Sequence, residues 1–123
     1  MPQKPPTTEH NRPTTDKTMT EIHDLIHQFE AATIPNSSFH HREHLIVALY
    51  YAAHNDPVES LRKMRTGLQR LLAANNKPPA AYKEDVTALW MNRAHTFLAS
   101  RAARFSPEIT AEWLHYAKSF PQQ

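Results

Sequence analysis

A chain of 123 residues with one glycine, no cysteine and a net charge of +2 has room for one core and excludes a disulfide framework; so little glycine also argues against a turn-rich β-sandwich. Its pI near 9.0 is mildly basic, yet Lys and Arg alternate with Asp and Glu, so no strong field for nucleic acid is implied. No apolar run approaches the roughly 18 to 20 residues that cross a bilayer, and the Pro- and Thr-rich start does not resemble a signal peptide, which predicts a soluble cytoplasmic protein.

Residues 1–17, MPQKPPTTEHNRPTTDK, hold four of the ten prolines and no large aliphatic side chain beyond Met1. Such a segment cannot bury enough surface to offset the entropy of ordering, and a disordered tail is expected. Residues 18–123 are expected to form one all-α domain, a compact bundle of about five helices. Thr18 and Glu21 have capping-box spacing, and Ile22, Leu25, Ile26 and Phe29 make one buried stripe on a first helix that ends before Pro35. His23 and His27 flank that stripe and read as solvated.

Ser38 is the predicted N-cap of a second helix over residues 39–54. Asp56 and Pro57 then cap and open a third, which turns Val58, Leu61, Met64, Leu68, Leu71 and Leu72 inward and its basic residues outward. The segment NNKPPAA reads as a loop, because paired prolines forbid helical continuation. A fourth helix is predicted over residues 82–101. Ser106 and Pro107 start a fifth, with Ile109, Trp113, Tyr116, Ala117 and Phe120 on one side.

Three polar residues break this pattern. At about 100° per residue, His41 falls on the side of the second helix that carries Leu45, Ala48, Leu49 and Ala52, and His44 lies about 60° away. On the fourth helix Lys83 sits in the sector of Val86, Trp90, Ala94, Phe97 and Leu98, with Thr87 beside it. A Lys facing a core is costly unless it snorkels, pairs or loses its proton. If the two helix starts meet, they form a pocket with two His, a Lys and a Thr hydroxyl, roofed by Phe39, Tyr82 and Trp90. Neutral imidazoles there can bind a metal or act as general bases. The alternative is a pair of core histidines bonded to backbone carbonyls, with no function at all.

The stretches FHHREHLIVALYY, LRKMRTGLQRL and YKEDVTALW, in that order, resemble an uncharacterised bacterial family of small helical proteins. Its members read Trp or Phe, any residue, His, two residues, His-Leu, then a Met-Arg helix, then Tyr-His-Glu-Thr, one residue, Thr and a Trp. The likeness covers about Ala31 to Trp90. It implies that His41 and His44 are the two helical histidines, that Glu84, Thr87 and Trp90 belong to the later block, and that Lys83 replaces a third His. Three histidines would suit Zn²⁺ or Fe²⁺ with an open position, whereas a charged Lys in the third place repels a cation. Asp85 in place of the family's Thr is a second departure.

Three functions follow as expectations. The first is a pocket for a small, anionic ligand, possessing or lacking catalysis, with His41, His44 and Lys83 as its chemical groups and Phe39, Tyr82, Glu84, Thr87 and Trp90 around it. In it the imidazoles serve as base and orienting partner or as metal ligands, and Lys83 as an anion-binding charge or an amine nucleophile. The second is a non-enzymatic interaction module in which Trp113, Tyr116 and Phe120 complete a homodimer. Nucleic-acid binding through Arg62, Lys63, Arg65, Arg70, Arg101 and Arg104 is the weakest, since no recognition motif accompanies the charge.

Overall fold

The computed structural model describes the backbone of residues 13–120 and the side chains of residues 18–120. The tail expected over residues 1–12 lies outside the described residues. Five α-helices are present and no strand among the described residues: α1 (Pro13–Ala31), α2 (His41–His54), α3 (Pro57–Ala74), α4 (Glu84–Arg101) and α5 (Pro107–Ala117), with short 3₁₀ turns at Asn36–Ser38 and Pro79–Ala81. None of the described helices is long and apolar enough to cross a membrane.

The helix α2 is the hub, touching each of the other four. Leu45, Ile46, Val47, Ala48, Leu49, Tyr51 and Ala52 are all buried on it, so it is apolar nearly all round instead of on the one stripe the sequence reading assigned. Around it, α1 contributes Ile22, Ile26 and Phe29, α4 contributes Trp90, Met91, Ala94, Phe97 and Leu98, and α5 contributes Trp113 and Ala117. The indole Nε1 of Trp113 donates to the Leu45 carbonyl at 2.9 Å in the interior, which fixes α5 against the first turns of α2.

Several helix ends fall where their cap chemistry places them. The Asp56 carboxylate accepts from Glu59 N at 2.8 Å, and the Ser106 hydroxyl accepts from Ile109 N at 3.0 Å, each followed by Pro at the first helical position. Three boundaries differ from expectation. The first helix starts at Pro13, not Thr18, so residues 13–17 of the expected tail are helical; Pro in a first turn gives up an N–H that has no intrahelical partner anyway. The cap of α2 is His40 and not Ser38, with Glu43 Oε1 accepting from His40 N at 3.0 Å, and Ser38 belongs to a 3₁₀ turn. The fourth helix opens at Glu84, because Tyr82 and Lys83 keep the extended backbone in which the Pro79–Ala81 turn leaves them.

On α3 the small residues matter most. Val58, expected inside, is exposed in the first turn. Ser60 and Gly67 are buried instead. Ser60 Oγ donates to the Tyr51 carbonyl at 2.9 Å, closing the corner between α2 and α3, and the missing side chain of Gly67 makes room for the Phe29 ring. Asn75 ends α3 and ties down the segment leading into α2: its Oδ1 accepts from Asn36 N at 2.8 Å and its Nδ2 donates to the Ile34 carbonyl at 3.2 Å.

Candidate functional site

The first turns of α2 and α4 meet over the last turns of α3, and between them lies an open groove of about 310 Å³. His41 and His44 of α2, Tyr82 and Lys83 ahead of α4, and Thr87 of α4 all line it, together with Phe39. Leu68, Leu71 and Val86 make the apolar floor. The convergence of two helix starts expected from the sequence is therefore present. It arises because the Asn75 anchor and the two 3₁₀ turns deliver both chains to one end of α3.

His44 is half-buried in the groove, beside the buried Thr87. Its ring stacks on Phe39 with centroids 6.2 Å apart, and its Nε2 is enclosed yet bonds to no protein atom. Burial, aided by the charge of nearby His41, pushes its pKa down to about 4, so the ring is neutral at pH 7. The backbone-bonded core histidine considered above would bond that nitrogen; here it has no protein partner. Leaving such a group unpaired costs about 1–3 kcal/mol.

His41 and Lys83 depart from the burial expected of them. Both side chains are exposed at the rim. His41 is the first residue of α2 and Lys83 precedes the first turn of α4, so a helical wheel that rotates them onto the buried faces carries each beyond the packed partner. Lys83 is thus a solvated charge at a groove mouth, and the desolvated amine nucleophile has no structural basis. His41 keeps one apolar contact, edge-on to the Trp90 ring at 5.2 Å, and partial burial lowers its pKa below the ordinary value.

The surrounding residues divide. The Thr87 hydroxyl lines the groove but donates back to the Lys83 carbonyl at 2.9 Å, the same oxygen that its own backbone N–H reaches. Glu84 is not in the lining: it accepts two bonds from Arg65, at 2.9 and 2.6 Å, and one from the Tyr82 hydroxyl at 2.6 Å. The Arg65 guanidinium and then the Tyr82 hydroxyl hold the Glu84 carboxyl down at about 2, while burial first and Glu84 second raise Tyr82 to about 12. Glu84 thereby orients Tyr82 as part of the wall. Trp90 is also outside the lining, buried behind His41. Asn36, His40 and the α3 leucines went unrecognised; His40 alone carried a signal, three residues ahead of Glu43, obscured because His is not a usual N-cap.

The donor set does not fit the metal expected of it. No group of three His, Cys, Asp or Glu side chains that could hold an ion occurs among the described residues, so His41 and His44 have no third protein ligand for Zn²⁺ or Fe²⁺. Of the aromatics expected at a dimer interface, Trp113 is fully buried, while Tyr116, on Phe97 at 5.2 Å, and Phe120, under the Arg93 guanidinium at 3.9 Å, are half-buried against the core. Of the basic residues considered for nucleic acid, Arg62, Arg65 and Arg101 are engaged by Glu59, Glu84 and Glu112. Compared with protein-family models, curated proteins and solved structures, the chain matches none.

Proposed function

We propose that the groove binds a small anionic molecule in the cytoplasm, with Lys83 as the charge at the mouth, His41 beside it at the rim and neutral His44 as the hydrogen-bonding group at the base. The observation that carries this reading is the enclosed, unpartnered Nε2 of His44 beside an open cavity. A polar group that destabilises the free protein is retained most readily where a ligand completes it. Two helix N-termini converge there, and their first N–H groups favour negative charge. Each of the three sequence blocks behind the family resemblance supplies lining: Phe39, His41 and His44 from the first, Leu68 and Leu71 from the second, Tyr82, Lys83 and Thr87 from the third. At pH 7 the neutral His44 ring can donate or accept a hydrogen bond to the ligand, and its low pKa makes it a partner for binding more than a base for catalysis.

The test is a thermal-shift screen of the full chain against small carboxylates and phosphates, repeated with His44→Leu and Lys83→Ala. A ligand at about 100 times its Kd stabilises by about 2.7 kcal/mol, which raises the melting temperature of a domain of this size by roughly 10 °C or more. Both variants are expected to stay folded and lose that rise. No shift with any anion, or equal shifts in all three proteins, overturns the reading.

A further inference from the structure

A second cavity, of about 330 Å³, lies between the first turn of α2 and the last turn of α5, on the far side of His41 from the groove. Its chemistry is different. The walls are Leu45, Leu114 and Ala117; the rim is His41, Arg42 and Lys118, and no residue of the lining is acidic. Leu45 and Ala117 are buried and Leu114 is half-buried, so the floor is continuous with the core. The bond from Trp113 Nε1 to the Leu45 carbonyl spans the same two helices, which makes the space between them a fixed feature of the packing. His41 and Arg42 are the first two residues of α2, and their N–H groups have no intrahelical acceptor.

We propose that this cavity is a binding site for a free, single-chain aliphatic carboxylate, its head between Arg42 and Lys118 and its chain over Leu45, Leu114 and Ala117. Charge complementarity selects an anion: the rim carries two permanent cations. Arg42 Nη1 touches Glu43 Oε2 at 3.3 Å, but that contact is exposed and weak enough to yield to a ligand. The aliphatic floor selects a chain over a compact ion such as phosphate. A cavity of about 150 Å³ accepts benzene, so twice that space, partly open, suits a chain of roughly eight carbons. This site is independent of the groove, with which it shares only the His41 wall.

The experiment is calorimetric titration of the full chain with octanoate, hexanoate, acetate and octylammonium. Octanoate is expected to fill this cavity once per chain and about tenfold more tightly than hexanoate, since each buried methylene is worth up to about fourfold. Acetate and octylammonium are expected not to bind here. Lys118→Glu, a surface change that leaves the fold intact, should weaken octanoate about tenfold, and Leu114→Trp should fill the cavity and abolish binding while the helical circular dichroism is kept. Lys83→Ala should leave unchanged the octanoate binding that Leu114→Trp abolishes, so failure at this site and failure of the anion groove are read separately. Equal binding of octylammonium, several octanoates per chain in Lys83→Ala, or indifference to Lys118→Glu overturns the proposal. So does co-sedimentation with phosphatidylglycerol vesicles or a concentration-dependent dimer that Leu114→Trp disrupts, because either assigns the apolar floor to another occupant.

Discussion

Lowering the pH from 7 to 5 should destabilise this protein chiefly through one ring. His44 ionises at about 4 when folded and at its ordinary 6.5 when unfolded, because burial, and then the charge of His41, disfavours the imidazolium. A depressed His pKa contributes stability that is present above 6.5 and is lost as pH falls through the folded value, since the unfolded chain takes up the proton first. The whole difference is worth about 3 kcal/mol below pH 4, of which about 2 kcal/mol disappears between pH 7 and 5. His41 and His95, also depressed by burial, push in the same direction. Subtracting a His44→Leu variant, which retains both, isolates the contribution. Urea unfolding at pH 7 and 5 should then show the wild-type midpoint falling further than that of the variant, by roughly 1 M for a typical small-domain slope. At pH 7 the variant should be at least as stable as the wild type, because it no longer buries an unpaired nitrogen. Equal midpoint shifts in the two proteins would show that His44 reaches water or a partner when folded, and the groove would lose its distinctive group.

The same linkage predicts that a small anion bound beside the histidine pair raises their pKa values, so its Kd should fall as pH drops from 7 to 5, with proton uptake visible as buffer-dependent heat in calorimetry. Gly67→Ala should cost about 1–2 kcal/mol in chemical denaturation, because its Cβ would enter the space of the fully buried Phe29 ring and the clash outweighs the better helix propensity of Ala. Ala102 ends α4 in the left-handed region at φ 48°, so Ala102→Gly should stabilise by about 1 kcal/mol, read as a higher urea midpoint. Trp113→Phe keeps an aromatic ring but removes the indole donor to the Leu45 carbonyl, and should cost about 1–2 kcal/mol while loosening α5, seen as faster hydrogen exchange over residues 107–117.

What was legible in the sequence and what was not follow from range. Period and caps are local, so the five helices, the Asp56–Pro57 and Ser106–Pro107 starts and the inward rows of α4 and α5 could be read directly. Which faces are buried depends on how many neighbours a helix has. With helices on every side of it, α2 buries Ile46 and Val47 as well as the expected stripe, and no periodicity announces a central helix. The site was half legible for a related reason. Rotating residues onto a helical wheel brought His41, His44, Thr87 and Lys83 to one end of the bundle, and they do meet there. The wheel carries no information on where a helix stops being packed, so it placed His41 and Lys83 inside when their positions at the helix starts leave them at the rim. That displacement changes the chemistry more than the address. A buried Lys would have been a reactive amine, whereas an exposed one is a charge at the rim and leaves the unmet hydrogen bond of the groove to His44.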